Sequence, residues 1–126
     1  MTTVVKTSET GVYLLFAKGA PEIILDKCSF IRISKEDKID SLNQVKRNKL
    51  IKDIVEAMGR HGLRTICVAY KEFRPKSLKL NDNSPLNIEY YDTIPDWNNE
   101  EVLINYMTCI CILGIEDPVR IEVNED

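Results

Sequence analysis

The chain has 126 residues, with 17 Lys and Arg against 20 Asp and Glu and a formal net charge of −3. That length supports one domain with a modest core, and the interspersed charges leave no basic stripe of the kind that binds nucleic acid. Four cysteines with no Cys-x-x-Cys pair, and a single histidine, argue against a zinc site and for a reduced, cytosolic setting.

In chain order, residues 2–7 read as a strand, 8–11 as a turn and 12–17 as the hairpin partner, in which Leu14, Phe16 and Lys18 share one face by the two-residue period. Pro21 suits the first position of a short helix over 21–28, and residues 30–33 read as a strand followed by a charged turn over 34–40. A longer helix is expected from Ser41, capped reciprocally with Gln44. Ile51, Ile54, Val55 and Met58 form its buried stripe, and Lys46, Arg47, Lys49 and Lys52 its solvated side. Gly62 ends it.

Residues 63–70 alternate as a strand with Arg64, Ile66, Val68 and Tyr70 on one face, fading out over 71–73. The polar stretch 74–96, with three of the chain's prolines, reads as a mobile surface insertion. Residues 97–105 hold one or two helical turns, and 107–115 are the final strand, with Cys109 and Cys111 on one face as small core residues. That strand is far too short to cross a bilayer as a helix, and the first residues do not read as a signal peptide. The fold class expected is α+β, a mainly antiparallel sheet with packed helices.

Three segments carry candidate chemistry. In Ala17-Lys18-Gly19-Ala20-Pro21-Glu22, a strand turns into a helix through a corner free of bulk. The unpaired N–H groups of a first helical turn and the ammonium of Lys18 suit a phosphate there. Gly62-Leu63-Arg64-Thr65-Ile66-Cys67-Val68-Ala69-Tyr70 offers a guanidinium that can grip phosphate oxygens bidentately. Gly114-Ile115-Glu116-Asp117-Pro118-Val119-Arg120 places a stiff proline corner after a carboxylate. Read alone, each is also an ordinary solvated charge or strand end.

Together and in this order, the three closely resemble signatures of P-type cation-pumping ATPases, specifically the nucleotide-binding domain of calcium pumps of the plasma-membrane type. The resemblance covers most of the chain except about 74–96. It implies that Lys18 lies beside bound ATP with Gly19 and Ala20 allowing close approach, that Arg64 contacts phosphate, and that Ile66 lines the adenine slot. Asp117, Pro118 and Arg120 would form the hinge toward the phosphorylation domain. Residues 1–115 then belong to the nucleotide domain and 116–126 to the hinge and the start of the next. Ile121, where calcium pumps usually carry proline, departs from the pattern. Val119, where reticulum-type pumps usually have a second proline, favours the plasma-membrane type over that alternative.

The resemblance further implies ATP, with magnesium, as ligand, calcium as the transported ion, and the remaining domains of a parent pump as partners at the cytosolic face of the plasma membrane. No direct membrane insertion of this segment is expected. Neither Asp-Lys-Thr-Gly-Thr nor the magnesium-holding aspartate motifs of the family occur in the sequence, so no residue is assigned a catalytic or metal-binding role. The family's adenine-stacking aromatic lies before the position matching Met1. The chain is therefore expected to be an inactive fragment cut at both ends, the rival being a non-catalytic interaction module that keeps the fold.

Overall fold

Two strands, Thr2–Lys6 (β1) and Tyr13–Gly19 (β2), open the computed structural model, which describes residues 1–33, 38–79 and 87–116. They pair antiparallel through a turn in which Thr7 Oγ1 donates to the Val12 carbonyl at 2.9 Å, and Gly11 takes the left-handed φ of +79°. β2 buries Leu15 and Ala17 and runs on through Lys18 and Gly19, two residues further than expected. Pro21–Asp26 (α1) starts on its proline, with Ala20 at the N-cap position.

Cys28–Ile33 (β3) pairs antiparallel with Lys38–Ser41 (β4), so residues 38–40, expected in a turn, are strand. Ser41 is held opposite Phe30 and cannot cap the next helix. Asn43 does so instead, its side chain accepting the Lys46 N–H at 2.9 Å. The helical segment comprises Gln44–Leu50 (α2), a π-helical turn Ile51–Val55 and Glu56–Arg60 (α3). Its stripe of Ile51, Ile54, Val55 and Met58 is half-buried. Arg47 leaves the expected solvated side: its Nη2 and Nε donate to the Cys28 carbonyl at 2.8 and 3.2 Å.

Beyond Gly62, at φ +72°, comes Leu63–Pro75 (β5), a 13-residue strand that does not fade at Lys71. Ile88–Tyr91 (β6) lies parallel to its last turnless residues, Glu72 to Pro75. Part of the stretch expected as an insertion is therefore sheet, and Tyr91 ties it down by donating its hydroxyl to the Gly11 carbonyl at 2.5 Å. Glu100–Leu103 (α4) and Met107–Glu116 (β7) complete the elements.

The seven strands form one sheet in the order β1-β2-β5-β7-β3-β4, with β6 beside β5. β3–β7 and β5–β6 are parallel and the other pairs antiparallel, which is the mainly antiparallel α+β class expected. The helical apolar residues collect on one face. Ile24 and Leu25 of α1 and Leu50 and Ile51 of the long helical segment pack with Ala17, Cys67, Ala69, Met107 and Cys109. Leu103 of α4 joins Leu15 and Phe73, where Trp97 meets the Phe73 ring edge-on at 5.3 Å.

Candidate functional site

The same alternation that buries Cys67, Ala69 and Phe73 turns Arg64, Ile66, Val68 and Tyr70 to the opposite face of β5. Register then decides what joins them. Lys18 lies directly opposite Val68 and Phe16 opposite Tyr70 on β2, while on β7 Ile115 faces Arg64, Leu113 faces Ile66 and Cys111 faces Val68. Directly opposed residues of antiparallel strands project to the same side. Lys18 and Arg64 therefore share one sheet face, on which none of the described helices packs, with Ile66, Val68 and Leu113 between and beside them.

The two cations are four residues apart along the ladder and one strand across, about 14 Å between Cα atoms from strand geometry. Long side chains can converge over that span on an extended polyphosphate, and the intervening aliphatics offer a flat apolar surface to a base. Both cations are exposed. Leu113 and Ile115, near the Leu63 end of the β5–β7 ladder, remain 48% and 40% exposed. The Phe16 and Tyr70 rings, 6.4 Å apart, continue this apolar surface away from Arg64.

All of this lies toward one end of the sheet. β2 finishes at Gly19 opposite Cys67, so β5 projects from Leu63 to Ile66 beyond it, paired among the described strands with the end of β7 alone. The corner itself is less open to an anion than a free helix start. The Ile23 and Ile24 N–H groups both bond to the Ala20 carbonyl at 3.0 Å, and Pro21 has no N–H. Gly19 presents its missing side chain to the helix: a Cβ there would meet Ile24 Cδ1 at 3.4 Å. Ala20 is exposed. Asp117, Pro118 and Arg120 lie outside the described residues.

Sequence reasoning named Lys18, Arg64 and Ile66 and placed Val68 and Tyr70 on the face of Arg64 and Phe16 on that of Lys18, but not that these two rows adjoin or that Leu113 and Ile115 lie beside them. Their alternation was visible, yet which strands lie side by side depends on pairing between distant segments. One placement is corrected: Cys109 and Cys111 do not share a face. A register shift between Val68 and Ala69 leaves Cys109 opposite buried Ala69 and Cys111 opposite outward Val68.

A cavity of about 490 Å³ lies elsewhere, between the β3–β4 hairpin and α2 with the π-helical turn. Its lining includes Ile31, Leu42, Leu50 and Ile54, with Asp40 and Lys46 among its polar residues. Neither Lys18 nor Arg64 lines it, and the chemistry of two cations beside an apolar strip outweighs volume as a guide to the site. Among the described residues, no group of three or more His, Cys, Asp or Glu side chains is arranged to hold a metal ion. No helix among them is long and apolar enough to cross a membrane.

A family model described as P-type ATPase, cytoplasmic domain N, matches residues 1–122. The chain is 37% identical over 123 residues to human plasma membrane calcium-transporting ATPase 4, covering 98% of this chain and 8% of that protein. It is 38% identical over 125 residues to rat plasma membrane calcium-transporting ATPase 3, covering 99% and 8%, and 38% identical over 123 residues to human plasma membrane calcium-transporting ATPase 1, covering 98% and 9%. It thus spans less than a tenth of the length of these relatives. With nearly its whole length matched and its mainly antiparallel sheet in place, the chain belongs to the P-type ATPase cytoplasmic domain N family.

Proposed function

We propose that this chain supplies the nucleotide-contacting part of a P-type calcium-transporting ATPase at the cytosolic face of the plasma membrane. Its parent would couple ATP hydrolysis to calcium movement. The observation that carries the reading is the shared sheet face, where Lys18 and Arg64 flank an apolar strip. The names of the relatives, all calcium-transporting ATPases of the plasma membrane, support the ion and the location.

ATP needs cations for its triphosphate and an apolar slot for adenine. Arg64 grips phosphate oxygens, Lys18 adds a point charge, and Ile66, with Val68 and Leu113, receives the base. Gly19 and Ala20 shape the corner beside them. Magnesium arrives on the phosphates, and calcium is cargo handled by other parts of the parent. The sequence contains no Asp-Lys-Thr-Gly-Thr acceptor, so this segment binds and positions nucleotide for chemistry performed elsewhere in the parent. Residues 1–115 form part of the nucleotide domain, and Asp117, Pro118 and Arg120 within 116–126 lead toward the phosphorylation domain.

Charge-assisted hydrogen bonds are worth about 1.5–3 kcal/mol each, so Lys18→Ala or Arg64→Ala weakens ATP binding by roughly tenfold or more. Amide chemical-shift titration checks this. Shifts from Mg-ATP concentrate at Gly19, Ile66, Val68 and Leu113 and shrink in either variant. Shifts scattered elsewhere, or unchanged by both substitutions, would overturn the assignment.

A further inference from the structure

Cys67 on β5 and Cys109 on β7 bring their sulfur atoms to 3.7 Å within the buried layer between sheet and helices. The register shift between Val68 and Ala69 shapes this meeting. It leaves Cys109 opposite Ala69 and Cys67 opposite Ile112, so the two cysteines are diagonal neighbours on the helix-covered face. All four cysteines are free thiols in this state. A disulfide bond is about 2.05 Å long, so closure needs the sulfurs to approach by under 2 Å. β5 and β7 are already fixed side by side by their ladder.

We propose that Cys67 and Cys109 form a reversible disulfide when the protein meets a hydroperoxide, a modification site inside the two strands that carry Arg64, Ile66 and Leu113. In the first step the Cys109 sulfur attacks the peroxide. One S–O bond forms and the O–O bond breaks, and the thiol proton leaves on the departing oxygen as water or an alcohol. The product is a sulfenic acid. In the second step the Cys67 sulfur attacks the sulfenic sulfur, the S–S bond forms, and the S–O oxygen departs as water with the Cys67 proton. Two electrons pass from the dithiol to one peroxide.

Either sulfur of this contact can donate the thiol hydrogen bond to the other. In the arrangement with Cys67 as donor, that bond and burial push Cys67 up and keep its proton, and the same bond draws Cys109 down, making it the attacking sulfur; with the donor reversed the two exchange roles and the same disulfide forms. Cys28, in the same buried layer, is pushed up to about 12, chiefly by burial and secondarily by Cys109, which makes it the poorer nucleophile. Cys111 is half-buried on the other side of the sheet, facing Val68. Both reacting sulfurs are buried, so oxidation proceeds through transient openings of the helices from the sheet.

The test uses the full chain and its Cys28→Ser/Cys111→Ser double variant, which leaves the proposed pair untouched. Each is treated with hydrogen peroxide, the remaining thiols are alkylated, and intact and peptide masses are read. The expected result is a monomer lighter by two hydrogens for the double variant, and one carrying two alkyl groups, on Cys28 and Cys111, with the same loss of two hydrogens for the full chain; in both, the peptide containing Cys67 is joined to the one containing Cys109, and dithiothreitol restores the free thiols. Irreversible sulfinic or sulfonic acid on either cysteine without a cross-link would overturn the proposal. So would a bridge to Cys28 or Cys111 in the full chain, or a cross-link found only between molecules. The outcome does not depend on nucleotide binding.

Discussion

Thr108 is a small misfit at a well-packed position. It is 1% exposed on β7, opposite Tyr70, and its hydroxyl has no hydrogen-bond partner among the described residues. An unpaired buried hydroxyl costs about 1–3 kcal/mol, so Thr108→Val, nearly isosteric, should raise unfolding free energy by about 1 kcal/mol in urea titration. A loss of stability would mean the hydroxyl is paired after all. Cys28 sets a limit at the alkaline end. Burial, helped by Cys109 and opposed by Arg47, lifts its thiol from 9.0 to about 12. The folded value lies above the unfolded one, so this contribution is complete below about pH 9 and is lost as pH rises toward 12. Denaturation midpoints should fall over that window, and Cys28→Ala should flatten part of the fall.

Among the elements, β6 shows how a stretch without periodicity still becomes sheet. Lys71 is 3% exposed on β5, and its ammonium donates to Glu89 of β6 at 2.7 Å and to Asn105 Oδ1 at 2.9 Å, 5.1 Å from the centre of the Phe73 ring. Glu89 is partly in water, which weakens its pull, but removing it leaves a buried cation underpaired. Glu89→Ala should cost about 1–3 kcal/mol, and hydrogen exchange should show residues 88–91 losing protection before the rest of the sheet. Uniform loss across all strands would contradict this local anchoring. None of it is readable from Ile88-Glu89-Tyr90-Tyr91, because the partner lysine sits in a strand whose own pattern fades at that very residue. The strongly patterned parts were legible: the β1–β2 hairpin, the Pro21 helix start, the half-buried stripe and the outward row from Arg64 to Tyr70. Local competition hid the rest. Asn43 displaced Ser41 as cap once β4 claimed Ser41, and one extra residue in β7 turned Cys111 away from Cys109. Lys18 and Arg64 stood out as strand-end cations, but their common face needed the pairing of β2 with β5, which no single segment encodes.

At the scale of the molecule, the described helices cover one face of the sheet and none of them packs on the other. This other face carries Val5, Leu113 and Ile115 at 40–48% exposure beside Leu14, Phe16, Ile66 and Val68. A continuous apolar patch of this kind favours association. The chain should therefore self-associate at high concentration, and Val5→Lys with Leu113→Lys should return it to monomer in sedimentation velocity while leaving its circular dichroism unchanged. Monomer behaviour of the unsubstituted chain at those concentrations would show the patch to be harmless. The place of β7 in the sheet has a different consequence. Among the described strands, the β3–β4 hairpin meets the rest of the sheet only through β7, which enters between it and β5. β3 and β7 are roughly 80 residues apart in sequence, a separation that makes such pairings slow to form. On the ribosome, the two halves of this sheet emerge as separate rafts with unsatisfied inner edges, and the last of the seven strands to be made is the one that zips them together. Until then, any chaperone that shields strand edges has two of them to hold.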